Sequence, residues 1–250
     1  MTARHRSTPL GLTALLAIAT LLAGCTSAPA SPAPTHPATQ TPSVAPAPPA
    51  PPAPPSAGTA AVVNAAQIAI YAAPDGAVTQ TLTNPQPTGA PLVFLVAATK
   101  GSWLQVQLAQ RPNGSTGWIK ADAVTLSNLD YSLAVSTERR TLELSKNGTP
   151  VKTFSVATGT GGTPTPHGSF YLTELLAPTN AGYGPYAFGL SAFSEALNSF
   201  GGGPGQIGLH GTDDAASIGT AASHGCIRLA NPDITELAGL LPLGTPITIG

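Results

Sequence analysis

Leu209-His210-Gly211-Thr212 and Ser223-His224-Gly225-Cys226-Ile227-Arg228-Leu229 are the two stretches on which the reading of this chain turns. An ordinary thiol titrates near pH 8.5, so only about 3% is thiolate at pH 7, and a nucleophilic cysteine needs a partner that takes its proton. Imidazole is the usual partner, and two histidines lie within sixteen residues of Cys226. His224 is two positions before the cysteine, which in extended backbone puts both on one side. His210 ends a predicted strand and can reach the thiol from a neighbouring strand. Gly225 lets backbone approach a ligand closely and present consecutive amides to a developing oxyanion. Arg228, two past the cysteine, is a fixed cation suited to a substrate carboxylate.

Plainer readings compete. A lone buried cysteine usually behaves as a small hydrophobe. Two histidines, one cysteine and Asp213-Asp214 could ligate zinc, but no C-x-x-C or H-E-x-x-H spacing supports it. A papain-like protease is disfavoured because there the cysteine precedes the histidine.

Outward from that centre, composition narrows the class. Only 8% of the 250 residues are charged, with 10 basic against 11 acidic, so no basic face for nucleic acid can be built. Twenty-seven prolines and 27 glycines favour linkers, turns and short strands over helices. Cys25 and Cys226 are the only cysteines, which excludes a disulfide framework.

The N-terminus reads as an address. Arg4, His5 and Arg6 precede an apolar run from Leu10 to Ala23 that, as a helix, spans about 21 Å, short of a bilayer core near 30 Å. A secretory signal fits this better than a membrane span. Leu22-Ala23-Gly24-Cys25 resembles the lipobox of bacterial lipoproteins, which implies lipidation of Cys25, a membrane anchor, and an extracytoplasmic place in the cell envelope. Residues 26–58 follow as a Pro/Ala-rich linker; Thr26 to Ser56 holds twelve prolines and no Asp, Glu, Lys or Arg. Such a segment samples polyproline II and builds no core, with a contour of roughly 95 Å at full extension.

Two folded segments are expected after it. Residues 59–128 show short apolar runs at Ala66–Ala72, Leu92–Ala98 and Trp103–Leu108, split by Pro74-Asp75-Gly76 and Asn113-Gly114. Leu104, Val106 and Leu108 alternate onto one face, and Trp103 and Trp118 read as core anchors. Residues 129–250 continue with strands around Ser132–Val135, Leu142–Leu144, Val151–Ala157, Gly168–Leu176, Tyr186–Phe193, Gln206–His210 and Thr245–Ile249. Lys146-Asn147-Gly148 is a hairpin signal. One short helix is predicted, with Asn231 as N-cap, Pro232 opening it, and Leu237, Leu240 and Leu241 facing inward.

Tyr71-Ala72-Ala73-Pro74, Gly101-Ser102-Trp103-Leu104-Gln105-Val106 and Thr116-Gly117-Trp118-Ile119-Lys120 resemble bacterial SH3-like domains, which implies a small barrel serving in wall binding or as a spacer. The region from Asp130 to Gly250 resembles the YkuD-type L,D-transpeptidase catalytic domain. The likeness rests on His210-Gly211-Thr212, Ser217-Ile218-Gly219 and Ser223-His224-Gly225-Cys226-Ile227-Arg228-Leu229, with support from Thr163-Pro164-Thr165-Pro166 and Leu243-Gly244-Thr245-Pro246. The implied fold class is mostly β: a small SH3-like barrel followed by a YkuD-type β-sandwich catalytic domain with one short helix.

By the same resemblance Cys226 is the acylated nucleophile and His210 the base, oriented by the Gly211 carbonyl. His224 sits in the nucleophile loop, and the amides of Gly225 and Cys226 form the oxyanion hole. Ser223 orders that loop, and Arg228, Thr212 and Tyr186 belong to the substrate side. The segment Tyr183–Gly205 covers the groove. The implied partners are peptidoglycan stem peptides, with no cofactor, no metal and a monomeric chain. Two alternatives stay open: an L,D-carboxypeptidase that passes the same acyl-enzyme to water, and a non-catalytic wall-binding lipoprotein.

Overall fold

A computed structural model of the chain describes residues 57–250; the signal segment, the lipobox Cys25 and nearly all of the proline-rich linker lie outside the described residues. Seven strands come first: β1 (Gly58–Val63), β2 (Gln67–Tyr71), β3 (Val78–Thr83), β4 (Val93–Lys100), β5 (Trp103–Gln107), β6 (Thr116–Lys120) and β7 (Val124–Leu129). They form an antiparallel sheet in the order β3-β2-β6-β5-β4-β1-β7. Alternation along β5 sends Leu104 and Val106 inward, and Leu108 follows them into a core with Ile68, Ile70, Phe94 and Ile119. Gly117 is needed there, because a Cβ would come 2.4 Å from Ile70 Cγ2. Trp103 is buried and meets Tyr71 edge-on at 4.9 Å, whereas Trp118 is only half-buried.

The second sheet is built from β8 (Tyr131–Ser136), β9 (Thr141–Lys146), β10 (Thr149–Ser155), β12 (Gly168–Leu176), β13 (Ala187–Phe193), β14 (Gln206–His210), β16 (Ile227–Arg228) and β17 (Pro246–Ile249), with the short pair β11 (Thr158–Gly159) and β15 (Ala221–Ser223) beside it. Its order is β10-β9-β8-β17-β12-β13-β14-β16, parallel at β8–β17 and β14–β16 and otherwise antiparallel. The turn between β9 and β10 has Asn147 and Gly148 at φ of 50° and 76°, the positive pair a two-residue hairpin requires.

Among the described residues there is one α-helix, α1 (Asn231–Leu240). Ile234 and Leu237 are fully buried, joined by Leu241 just past its end, against Phe188, Leu190, Ile207, Leu209 and Ile227 of the sheet. The helix departs from the sequence expectation in two ways. Its N-cap position is Ala230, with no side-chain cap bond, and Leu240 faces solvent at 40% exposure. Asn231 lies inside the first turn and its carboxamide is used elsewhere.

The two sheets meet across a separate apolar cluster of Ala60, Val93, Leu95, Leu129 and Tyr171. Tyr171 Oη donates to Gln107 O at 3.3 Å, and burial pushes its phenol well above the ordinary range. Arg111 and Asn113, in the β5–β6 turn, bond the backbone at the end of β13 and beyond it. Thus residues from before position 115 touch the segment that borders the site.

Candidate active site

Strand pairing brings the two quoted stretches together. On β14 and β16, running parallel, Leu209 lies opposite Ile227 and His210 opposite Arg228. Leu209, Ile227 and Leu229 face the core with no exposure, so alternation turns Gly208 and His210 to the other face, with Cys226 and Arg228 beside them. Gly208 N–H donates to Cys226 Sγ at 3.3 Å. A Cβ on Gly208 would stand 3.5 Å from His210 Cδ2 and 3.8 Å from Cys226 Sγ, so imidazole and thiol both stand next to this glycine. The ring atom nearest that position is Cδ2, on the side of the ring away from the Nδ1 that meets Gly211 O.

The tautomer follows from one bond. His210 Nδ1 is 2.5 Å from Gly211 O, and a carbonyl can only accept, so Nδ1 carries the hydrogen and Nε2 keeps its lone pair. The Gly211 turn is packed against another glycine. A Cβ on Gly211 would meet Asn231 Oδ1 at 2.4 Å and Gly184 Cα at 3.1 Å. Gly184, at φ 63° and ψ −162°, ends the turn Ala181–Tyr183, which lays Tyr183 on the His210 ring at 4.6 Å between centroids. Asn231 Oδ1 accepts from Thr212 N at 3.0 Å, fastening the same turn to the start of α1. Thr212 itself is buried and its Oγ1 accepts from Asp214 N, so it acts within the turn.

The nucleophile loop is also tied internally. Ser223 Oγ donates to Cys226 O at 2.5 Å and accepts from Gly225 N at 3.1 Å. Thr165 Oγ1 donates to Gly225 O and accepts from Gly159 N, both at 2.9 Å. The Gly225 amide is thus committed inside the loop, which leaves the Cys226 amide as the one of that pair to consider for an oxyanion. Gly225 takes φ 118°, a conformation side chains resist.

His224 is exposed and stacks on Phe200 at 4.9 Å. Arg228 is half-buried, exchanges both backbone bonds with Ala157, and has a buried Nε without a hydrogen-bond partner among the described residues. The Tyr186 ring packs on the core rather than into the site, and its carbonyl accepts from Gly211 N. Tyr183, Asn231 and Glu174 are the site-bordering residues that the motif did not single out.

Two cavities meet at the thiol. One of about 190 Å³ runs past Glu174, Leu176, Phe188 and Gln206; the other, about 360 Å³, runs past Asn180, Ser223, His224 and Arg228. Tyr183, Phe200, His210 and Cys226 line both. A larger cavity of about 660 Å³, over β8, β9 and β17, holds Glu138, Arg139 and Glu143 but neither cysteine nor histidine, so size does not locate the chemistry. Among the described residues no three of His, Cys, Asp and Glu gather as a metal site.

Electrostatics complete the description. Burial pushes His210 down to about 4, opposed by its bond to Gly211 and assisted by Arg228. Burial pushes the Cys226 thiol up, partly offset by the Gly208 N–H and Arg228. Burial and the neighbouring thiol raise Tyr183, and Arg228 opposes them. At neutral pH the pair is an uncharged thiol beside an uncharged imidazole.

Residues 130–249 match the model of the YkuD family, described as the L,D-transpeptidase catalytic domain. YkuD of Bacillus subtilis (strain 168), named as a candidate L,D-transpeptidase, is 39% identical over 121 residues, covering 48% of this chain and 66% of that one. A Bacillus licheniformis protein of the same name is 36% identical over the same shares. This chain therefore spans somewhat under two thirds of the curated relatives it matches. An L,D-transpeptidase structure from Mycobacterium smegmatis aligns at 16% identity over 63% of this chain and 82% of that one, with a TM-score of 0.40.

Proposed function

We propose that this chain is a peptidoglycan L,D-transpeptidase that joins stem peptides through a thioester on Cys226. The observation that carries the proposal is the neutral His210–Cys226 pair around Gly208, with the imidazole held in the Nδ1–H tautomer. In the first step Sγ attacks the carbonyl before the terminal D-alanine of a tetrapeptide stem, and its proton passes to His210 Nε2. The oxyanion develops near the Cys226 amide with the Arg228 charge close by. A buried imidazolium beside Arg228 is a strong acid, so it readily protonates the leaving amine of D-alanine. An amine from a second stem then attacks the thioester, its proton goes to His210, and the thiol is restored.

The two cavities that meet at Cys226 support a reaction needing two peptides. Arg228 suits the carboxylate of the departing residue, and Tyr183 and Phe200, which line both cavities, would serve as a cover. Lipidation at Cys25 and the proline-rich stalk belong to the same proposal: they would tether the chain outside the cytoplasmic membrane and let it reach into wall. The N-terminal sheet, proposed as SH3-like, serves there as a wall-binding module or spacer.

The test is intact-mass analysis of the protein incubated with a disaccharide-tetrapeptide. An acyl adduct on Cys226, free alanine and a cross-linked dimer are expected, and Cys226→Ala abolishes all three. Alanine without dimer would replace transfer by hydrolysis. No adduct on Cys226 would remove the enzymatic reading.

A further inference from the structure

Glu174 is the one acidic side chain buried among the described residues, at 8% exposure. Strict alternation along β12 would send every second residue outward. Instead positions 170 to 174 are all buried, and the pairing with β13 shifts between Leu172 and Glu174. That irregularity brings Glu174 to the cavity of about 190 Å³ that Cys226 and His210 also line.

The carboxylate is held but not neutralised. Its Oε2 accepts from Thr88 Oγ1 at 2.5 Å, and Oε1 has no hydrogen-bond partner among the described residues. The single ion pair among those residues is Lys152–Glu236, and no Lys or Arg lines this cavity. Room for the group is provided by Gly189, opposite Glu174 on β13, where a Cβ would come 2.7 Å from Oε1 and 2.8 Å from Cγ. Its free oxygen is available to that cavity, and with no fixed cation there a positively charged ligand group is the partner it can take. The other cavity at Cys226 carries the opposite sign, through Arg228.

We infer that Glu174 recognises a primary ammonium group on the substrate, carried at the end of a diamino-acid side chain. The inference rests on the peptide-acylation reading above and adds the polarity of the substrate: amine toward Glu174, carboxylate toward Arg228. Two groups have this chemistry, the side chain of the residue whose carbonyl is attacked and the amine of the incoming stem.

The test crosses two changes. Wild type and Glu174→Gln, which keeps an acceptor for Thr88, are each given a tetrapeptide whose third residue ends in a primary amine, and the same peptide with that amine acetylated. Acylation of Cys226 and, with a separate amine-bearing acceptor peptide, dimer formation are followed by mass. In wild type, acetylation of the donor amine is expected to lower kcat/KM for acylation by about 10- to 100-fold where Glu174 holds that amine; the acceptor amine is the nucleophile and stays free, so its step is read from the effect of Glu174→Gln on dimer formation. Glu174→Gln should impose a similar loss on the amine-bearing peptide and almost none on the acetylated one. A loss in acylation identifies the donor side chain, and a loss confined to transfer identifies the acceptor amine. An equal penalty for donor acetylation in both proteins, together with dimer formation in Glu174→Gln at the wild-type rate, would overturn the inference. Alkylation of Cys226 by iodoacetamide at the wild-type rate verifies that the cavity is intact. Glu174→Asp, which keeps the charge, should still prefer the amine, and loss of that preference in a folded Asp variant would also overturn it. Failure of wild type to acylate with either peptide would instead refute the functional reading on which this one stands.

Discussion

Replacing His210 by Gln should remove a pH dependence of stability that the site imposes on the fold. The imidazole titrates near 6.5 in an unfolded chain and at about 4 in the folded one, chiefly because its ring is buried. Between those values the unfolded chain holds a proton that the folded one refuses. Stability therefore falls as pH drops from about 6.5 toward 4, and levels off below. At about 1.4 kcal/mol per pH unit, the gap amounts to about 3 kcal/mol. Urea unfolding of wild type and His210→Gln, at several pH values from 7.5 to 4, isolates this contribution, because the other titrating groups are shared. The difference between the two curves should grow by about 3 kcal/mol across that range, in the direction of the variant losing less. Parallel curves would refute the neutral, desolvated histidine. So would wild type that gains stability relative to the variant on acidification, since that requires an imidazolium paired in the folded state. Acylation has the matching expectation: Nε2 stays available as a base down to about pH 4, so the rate should not halve near 6.5.

Two further outcomes test how the site is held. Arg111 donates to Pro204 O, Ser194 O and Leu197 O at 2.7, 2.9 and 2.8 Å and stacks over Phe193 at 5.0 Å. Arg111→Ala should therefore loosen the segment from Ser194 to Gly205 by about 2–3 kcal/mol; amide exchange there should rise roughly 30- to 150-fold, and unchanged exchange would show that the clamp does not matter. Gly184→Ala puts a Cβ 2.6 Å from Gly211 Cα in a backbone region that side chains avoid. It should cost about 2–4 kcal/mol and move Tyr183 off His210, read by thermal unfolding and by Cys226 alkylation; wild-type values for both would mean the two turns are not in contact.

How much of this was legible in the chain depends on the range of the interaction involved. Period-two alternation and turn residues are local, and the long strands at 168–176, 187–193 and 206–210 emerge within a residue of where the apolar runs and glycines put them. The short strands β11, β15 and β16, two or three residues each, carry no period to detect and exist because neighbouring strands accept their bonds. Asn231-Pro232 has the composition of a helix start, but the carboxamide has a stronger claim on it: the Thr212 amide, buried in the turn that aims His210. Leu240 fits an apolar stripe, but the helix ends with it, and only Leu241, just past that end, turns inward.

The layout of the candidate site was legible for the same reason and to the same limit. Cys226, His224 and Ser223 are within three residues, and the Gly211 carbonyl is adjacent to His210, so their relations survive in one dimension. Tyr183 and Tyr186 are indistinguishable by composition. What separates them is Gly184, whose positive φ folds the 181–184 turn back on Gly211 so that Tyr183 reaches the imidazole while Tyr186 is drawn into the core. Glu174 is more remote still. Its burial depends on an irregular pairing with β13, on a missing side chain at Gly189, and on a hydroxyl from Thr88 in the β3–β4 loop. No local pattern encodes a coincidence of three distant segments. A carboxylate assembled that way, and left without a cation, is explained most economically by a substrate that brings one.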